Sequence, residues 1–197
     1  MTLRPLVVGI FVGGRAMRFG GIPKGLLRAP DTNEPLVARL SRLAREAIPG
    51  AELVLVGNAE AYRDLDLPSL ADEAPGQGPL AGLVALLGEC GRRERDAIAL
   101  AGDLPFITAQ LLSRLAREAP DAAALAPRPD GIWQPLFARY ASDACGNVAA
   151  RALDGGARAL HRVLDALGDG AAEFRLSDEE APLLRDWDSP EDVNPRQ

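Results

Sequence analysis

The sequence predicts a single α/β domain whose mostly parallel sheet is wound with helices on both faces and carries a short antiparallel insertion. Three observations predict it. Apolar runs of strand length at 6–12, 52–57 and 96–102 are continuous rather than alternating, as in strands buried on both faces. Segments with apolar residues at helical spacing, starting at Leu36 and Leu80, lie between them. Each run gives way at its carboxyl end to glycine or a small polar residue, where the loops of an open, Rossmann-like sheet meet their ligands.

The first run, Leu6 to Val12, stops at two glycines. The stretch that follows, 13–25, holds five glycines in thirteen residues together with Arg15, Arg18 and Lys24. Glycine permits close backbone approach, so N–H groups here can fold around phosphate oxygens. The chain carries a formal net charge of -6, and a polyphosphate needs such a local cationic cluster to enter. A P-loop is excluded, because Lys24 is preceded by Pro23 and followed by Gly25 rather than Ser or Thr. A dinucleotide fingerprint from Gly13 is excluded because Arg15 falls where its second glycine is required.

Pro35 opens a helix in which Leu36, Leu40, Leu43 and Ala47 form one face, with Arg39, Arg42 and Arg45 on other faces, and Pro49-Gly50 ends it. The second run delivers Asn58, either a ligand contact or an N-cap. Leu70 to Asp72 reads as a short third strand leading into a loop dense in glycine and proline. Helical spacing then resumes through Leu80, Leu83, Val84 and Leu87. The run Asp96 to Gly102 delivers Asp103, either a carboxylate for magnesium or a cap for a helix starting near Thr108.

Leu111, Leu112, Leu115 and Ala119 predict a further helix, and 122–126 a strand. Asp130-Gly131 reads as a hairpin turn before Trp133 to Ala138, with Trp133 as core. Two helices, 147–153 and 158–167, flank Gly155-Gly156. His161 has no nucleophile or metal partner in the sequence pattern and reads as a surface or satisfied histidine. In the last segment Ser189 can cap a helix beginning at Pro190.

Composition narrows the function classes. At 197 residues, 47% hydrophobic and 25% charged, the chain is ordinary for a soluble domain. No apolar run approaches the ~18 residues of a membrane span, and Arg4-Pro5 leads directly into a strand, so a cytoplasmic protein with no membrane partner is expected. The acidic balance argues against nucleic acid. Cys90 and Cys145 lack metal or disulfide spacing and are expected to be reduced and buried.

The glycine-rich loop resembles that of the molybdenum cofactor guanylyltransferases, a family of the nucleotidyltransferase superfamily built on the nucleotide-diphospho-sugar transferase type of sheet. The match covers Gly13, Gly14, Arg18, Gly20, Gly21, Lys24 and Gly25, and departs at Phe19 and Pro23; a Pro-Lys pair is typical of other nucleotidyltransferases of this fold. Two further motifs occur in the same order: Asp72 with Gly78-Pro79-Leu80-Ala81-Gly82, and Asp103 with Pro105-Phe106. The last segment, with Asp186, Asp188 and Ser189-Pro190, is similar to a fourth. Together they span nearly the whole chain.

The resemblance implies transfer of GMP from GTP to the molybdopterin cofactor with release of pyrophosphate. It implies Mg2+ held by Asp103, which it favours over the cap. Arg18, Lys24 and Asp103 are the implied catalytic residues. The nucleotide is expected at Phe11, Val12, Gly13, Gly14, Arg15, Lys24, Asn58, Asp72, Gly78, Pro79 and Asp103, with Asp72 and Asn58 able to accept from the N–H donors of guanine. Contacts to the acceptor are implied at Gln134, Arg158, Asp186 and Asp188, and a client molybdoenzyme or its chaperone as receiver of the product. Residues 1–107 form the implied nucleotide-binding half and 108–197 the acceptor-binding half. Phe19 and Pro23 leave open another nucleotidyltransferase of the same fold, handing cytidylyl to molybdopterin or a nucleotidyl group to a sugar phosphate. A non-catalytic nucleotide-binding escort of the cofactor is the remaining alternative; binding without turnover does not require Lys24 and Asp103 together.

Overall fold

Strand β1 (Leu6–Val12) is the axis of the molecule because both of its faces are apolar: Val8, Ile10 and Val12 enter one core, and Val7 enters another on the opposite face. The computed structural model describes residues 4–13, 22–70 and 78–187. β1 pairs in parallel with β2 (Glu52–Gly57) and β4 (Asp96–Ala101), and β2 with the short β3 (Ser69–Leu70). Beyond β4 lie β6 (Phe137–Tyr140), β5 (Ala124–Ala126) and β7 (Ala171–Glu173), giving a seven-stranded sheet of order β3-β2-β1-β4-β6-β5-β7. β6 is antiparallel to both neighbours, and β5 and β7 are parallel to each other. A mostly parallel sheet with a local antiparallel insertion is therefore what the chain forms.

Helices α1 (Leu36–Ala47) and α3 (Ala109–Arg117) cover one face through Val37, Leu40, Leu111, Leu112 and Leu115. The other face is covered by α2 (Pro79–Arg92), α4 (Ser142–Asp154) and α5 (His161–Leu167), through Leu83, Leu86, Cys145 and Leu164. Chain direction changes neighbours between β1 and β4: β1 leads outward to β2 on one side, and β4 lies on its other side. Their carboxyl ends therefore form the crevice in which doubly wound sheets bind ligands. Among the described residues no helix is long and apolar enough to cross a membrane.

Several element bounds differ from the sequence reading for local reasons. α3 stops at Arg117, and Ala119 lies outside it with a left-handed φ of 43°. α4 begins at Ser142 rather than near 147, because the Ser142 N–H is held by the Asp96 carboxylate and its hydroxyl donates to the Arg95 carbonyl. Arg158 precedes α5 rather than opening it. Trp133 is buried as expected, but 133–136 is a loop and the strand starts at Phe137. Arg39 does not face solvent: it is 5% exposed, forks onto the Asp31 carboxylate and donates to the Ile107 carbonyl at 3.0 Å.

Candidate active site

Lys24 sits at the start of a 3-10 turn, Lys24–Leu26, fixed by Pro23 ahead of it and by hydrogen bonds from Leu26 N–H to the Pro23 carbonyl and from Leu27 N–H to the Lys24 carbonyl. Gly25 lets this turn lie flat on α1. A Cβ there would stand 2.4 Å from Val37 Cγ2 and 2.9 Å from the Tyr62 hydroxyl, so no side chain fits without moving the turn. Burial pushes the Tyr62 phenol pKa up, and the Asp103 charge adds to that shift while a hydrogen bond with the Gly25 backbone opposes it.

Asp103 is delivered from the other side. β4 ends against β1, with Gly102 N–H donating to the Phe11 carbonyl at 3.1 Å; a Cβ on Gly102 would come within 2.9 Å of that oxygen. The Asp103 side chain thus emerges on the rim where β1 releases Gly13. Thr108, not Asp103, caps α3, its hydroxyl accepting from Leu111 N–H at 3.2 Å. The Asp103 carboxylate instead meets the Lys24 ammonium at 3.0 Å, with the lysine side chain 30% and the aspartate 19% exposed.

One half-exposed cation and one half-exposed carboxylate at the carboxyl ends of β1 and β4 suit a metal-bound polyphosphate. Magnesium takes few protein oxygens and fills its shell with water and phosphate oxygen, so a single accessible carboxylate is a sufficient donor set. Among the described residues no group of three or more His, Cys, Asp or Glu could hold a metal by itself.

The other expected site residues divide. Phe11, Val12 and Gly13 bring β1 to its carboxyl end, with the Phe11 and Val12 side chains packed into the two cores, and Gly78 (φ 79°) caps α2, with Pro79 as its first residue. Arg158 is brought beside Gly78, where a Cβ on the glycine would lie 3.5 Å from the Arg158 carbonyl; its guanidinium donates to the Ala157 carbonyl. Asn58 makes a local turn contact, its Oδ1 accepting from Glu60 N–H at 3.1 Å, while Ala59 is the N-cap of the 3-10 segment that follows. Gln134 is exposed in the β5–β6 connection, beside Trp133, whose ring carries the Arg128 guanidinium at 4.7 Å. Asp186 is exposed and lies next to Asp103 in space, because the following Trp187 N–H donates to the Asp103 carbonyl at 3.3 Å. Gly14, Arg15, Arg18, Asp72 and Asp188 lie outside the described residues.

Comparison with known proteins gives this geometry a family. Residues 8–170 match the MobA-like NTP transferase domain. A probable molybdenum cofactor guanylyltransferase of Chloroflexus aggregans is 31% identical over 204 aligned residues, covering 98% of this chain and 94% of that one. The chain belongs to the MobA-like NTP transferase family. A molybdenum cofactor guanylyltransferase of Pseudomonas putida is 35% identical over 69% of this chain and 70% of its own length. Among solved structures, the molybdopterin-guanine dinucleotide biosynthesis protein A of Archaeoglobus fulgidus superposes with a TM-score of 0.71 at 23% identity, covering 95% of each chain. The 4-diphosphocytidyl-2C-methyl-D-erythritol synthase of Anaerococcus prevotii reaches 0.70 at 8% identity, covering 96% and 93%, so the MobA-like fold alone does not choose a base.

Sequence reasoning found Lys24 and Asp103 because both stand where an apolar run or its glycine loop ends. It missed Tyr62 and Trp187. Tyr62 follows β2 in a short 3-10 segment whose only signal was an isolated aromatic. Trp187 was hidden between two aspartates, a setting that reads as solvated tail.

Proposed function

We propose that this nucleotidyltransferase moves GMP from GTP to molybdopterin, forming a bond between a phosphate oxygen of the acceptor and the α-phosphorus while the bond to the β-phosphate breaks and pyrophosphate leaves. The observation that carries the reading is the Lys24–Asp103 contact at the sheet rim, in a chain with a relative, covered over 94% of its length, named a probable molybdenum cofactor guanylyltransferase. Bound Mg2+ would supply charge neutralisation for the β- and γ-phosphates. Asp103 would hold it. Lys24, Arg15 and Arg18 would orient and neutralise the triphosphate, and the backbone from Phe11 to Gly14 would line it; displacement then needs positioning and charge rather than a covalent nucleophile.

Asn58 and Asp72, with Gly78 and Pro79, would face the guanine. Gln134, Arg158, Asp186 and Asp188 would contact the acceptor, which makes residues 1–107 the nucleotide half and 108–197 the acceptor half. The product would pass in the cytoplasm to a client molybdoenzyme or its chaperone.

Calorimetric titration with GTP, CTP, ATP and UTP in the presence of Mg2+, followed by pyrophosphate assays with metal-loaded molybdopterin, tests the reading. GTP is expected to bind tightest and to release pyrophosphate only when the acceptor is added. A preference for CTP, or release indifferent to molybdopterin, would overturn it.

A further inference from the structure

Trp187 joins the two turns that carry Lys24 and Asp103. Its side chain is 2% exposed and packs in one cluster with Ala29 and Leu36, against Leu27 and Phe106. The Leu27 N–H closes the Lys24 turn by donating to the Lys24 carbonyl at 3.0 Å, and the Leu27 carbonyl accepts from Leu36 N–H at 3.0 Å. On the opposite side the indole meets the Phe106 ring edge-to-face, at 6.2 Å between centroids and 89° between planes. The Trp187 N–H bonds the carbonyl of Asp103 itself. One ring thus fills the space between the exit of the Lys24 turn and the turn that follows Asp103.

We propose that Trp187 is a positioning residue that sets the separation of the Lys24 and Asp103 turns and so the metal dependence of nucleotide binding. The inference rests on the reading of Asp103 as the magnesium carboxylate. Close-packed interiors transmit a change of side-chain volume as a displacement of what packs against it, and a bound metal tolerates little error in the position of its carboxylate. Trp187 touches no reacting atom; it acts through the main chain of Asp103 and the ring of Phe106. The indole Nε1 is buried with no partner among the described residues, so the bulk of the ring rather than its N–H is what the slot uses.

The test is the ratio of GTP affinities with and without Mg2+, measured by calorimetry on the whole chain and its variants. Trp187→Ala is expected to cut the Mg2+ enhancement by about five-fold or more while metal-free GTP binding stays within about two-fold, the size expected of coupling between residues that share a packed cluster. Trp187→Phe, which keeps a ring in the slot, is expected to restore it. Leu87→Ala opens a cavity in the core on the other face of the sheet and is expected to leave the ratio unchanged. Asp103→Asn is expected to abolish the enhancement. If Asp103→Asn retains it, the metal reading fails and the positioning role with it. If Asp103→Asn loses the enhancement while Trp187→Ala keeps it, or if Leu87→Ala loses it too, or if Trp187→Phe does not restore it, the role of Trp187 alone is overturned.

Discussion

The Lys24 ammonium and the Asp103 carboxylate meet at 3.0 Å although 79 positions separate them in the chain. Each neutralises the other, and under the proposed function a metal-bound triphosphate would offer each a new partner: phosphate oxygen for the lysine, a divalent cation for the aspartate.

Loss of either charge should therefore cost turnover far more than stability. Asp103→Asn and Lys24→Met are each expected to lower pyrophosphate release by about a hundredfold or more. Partly exposed ion pairs contribute only about 1 kcal/mol, so melting temperatures should move by no more than a few degrees. Initial rates set beside calorimetric melts check both halves of the expectation.

Glycine substitutions separate close approach from simple flexibility. Gly25→Ala drives a methyl into Val37 and Tyr62, and is expected to destabilise by about 1–3 kcal/mol and to raise KM for GTP by displacing Lys24. Gly146→Ala lies inside α4 with open space around its Cβ position, and is expected to stabilise by about 0.5–1 kcal/mol. Denaturant titrations of the two variants should move in opposite directions.

The acid limb of stability should depend on Glu180. Hydrogen bonds from the Arg114 guanidinium, and then from the Ser177 backbone, hold its carboxyl below its ordinary value of 4.5. A depressed carboxylate contributes stability above its unfolded pKa and loses it as pH falls through the folded value. Melting temperatures measured from pH 6 to pH 3 should decline for the parent, with Glu180→Gln lower at pH 6 and flatter below pH 4.5.

The cysteines set the alkaline limb. Burial pushes the thiols of Cys90 and Cys145 from 9.0 up to about 12, so in this range they stay protonated in the folded chain after they would have ionised in the unfolded one. Stability from both is complete below pH 9 and falls as pH rises towards about 12. Neither thiol is expected to react with a disulfide reagent at pH 8 until denaturant is added, and Cys90→Ser should not alter nucleotide binding.

Strands β1, β2 and β4 were legible because a strand covered on both faces must be apolar throughout, and α1, α2 and α3 because one face must meet the sheet. β7 was not, since Ala171-Ala172-Glu173 has almost no apolar signal and exists as a strand through its parallel pairing with β5. Two buried arginines left no mark in the pattern. Arg39 is buried because Asp31 and the Ile107 carbonyl await it, and Arg139, inside β6, donates to the carbonyls of Ala116, in the last turn of α3, and Ala119, just beyond it. Apart from Asp31, these partners are 20 or more positions away in the chain, where periodicity carries no information. Lys24 and Asp103 were readable from their positions beside glycines, whereas the contact between the tail and Asp103 is tertiary and left no local mark.

Since β6 runs against β4, the chain leaving β5 at Ala126 must double back and re-enter the sheet beside Ala101, whose N–H it engages through the Leu136 carbonyl. Residues 127–136 are thereby committed to the same edge of the molecule that presents Lys24 and Asp103. Lengthening or resequencing that one excursion would reshape that edge while the strands beneath keep their pairing, so under the proposed function acceptor choice could diverge without loss of the nucleotide site.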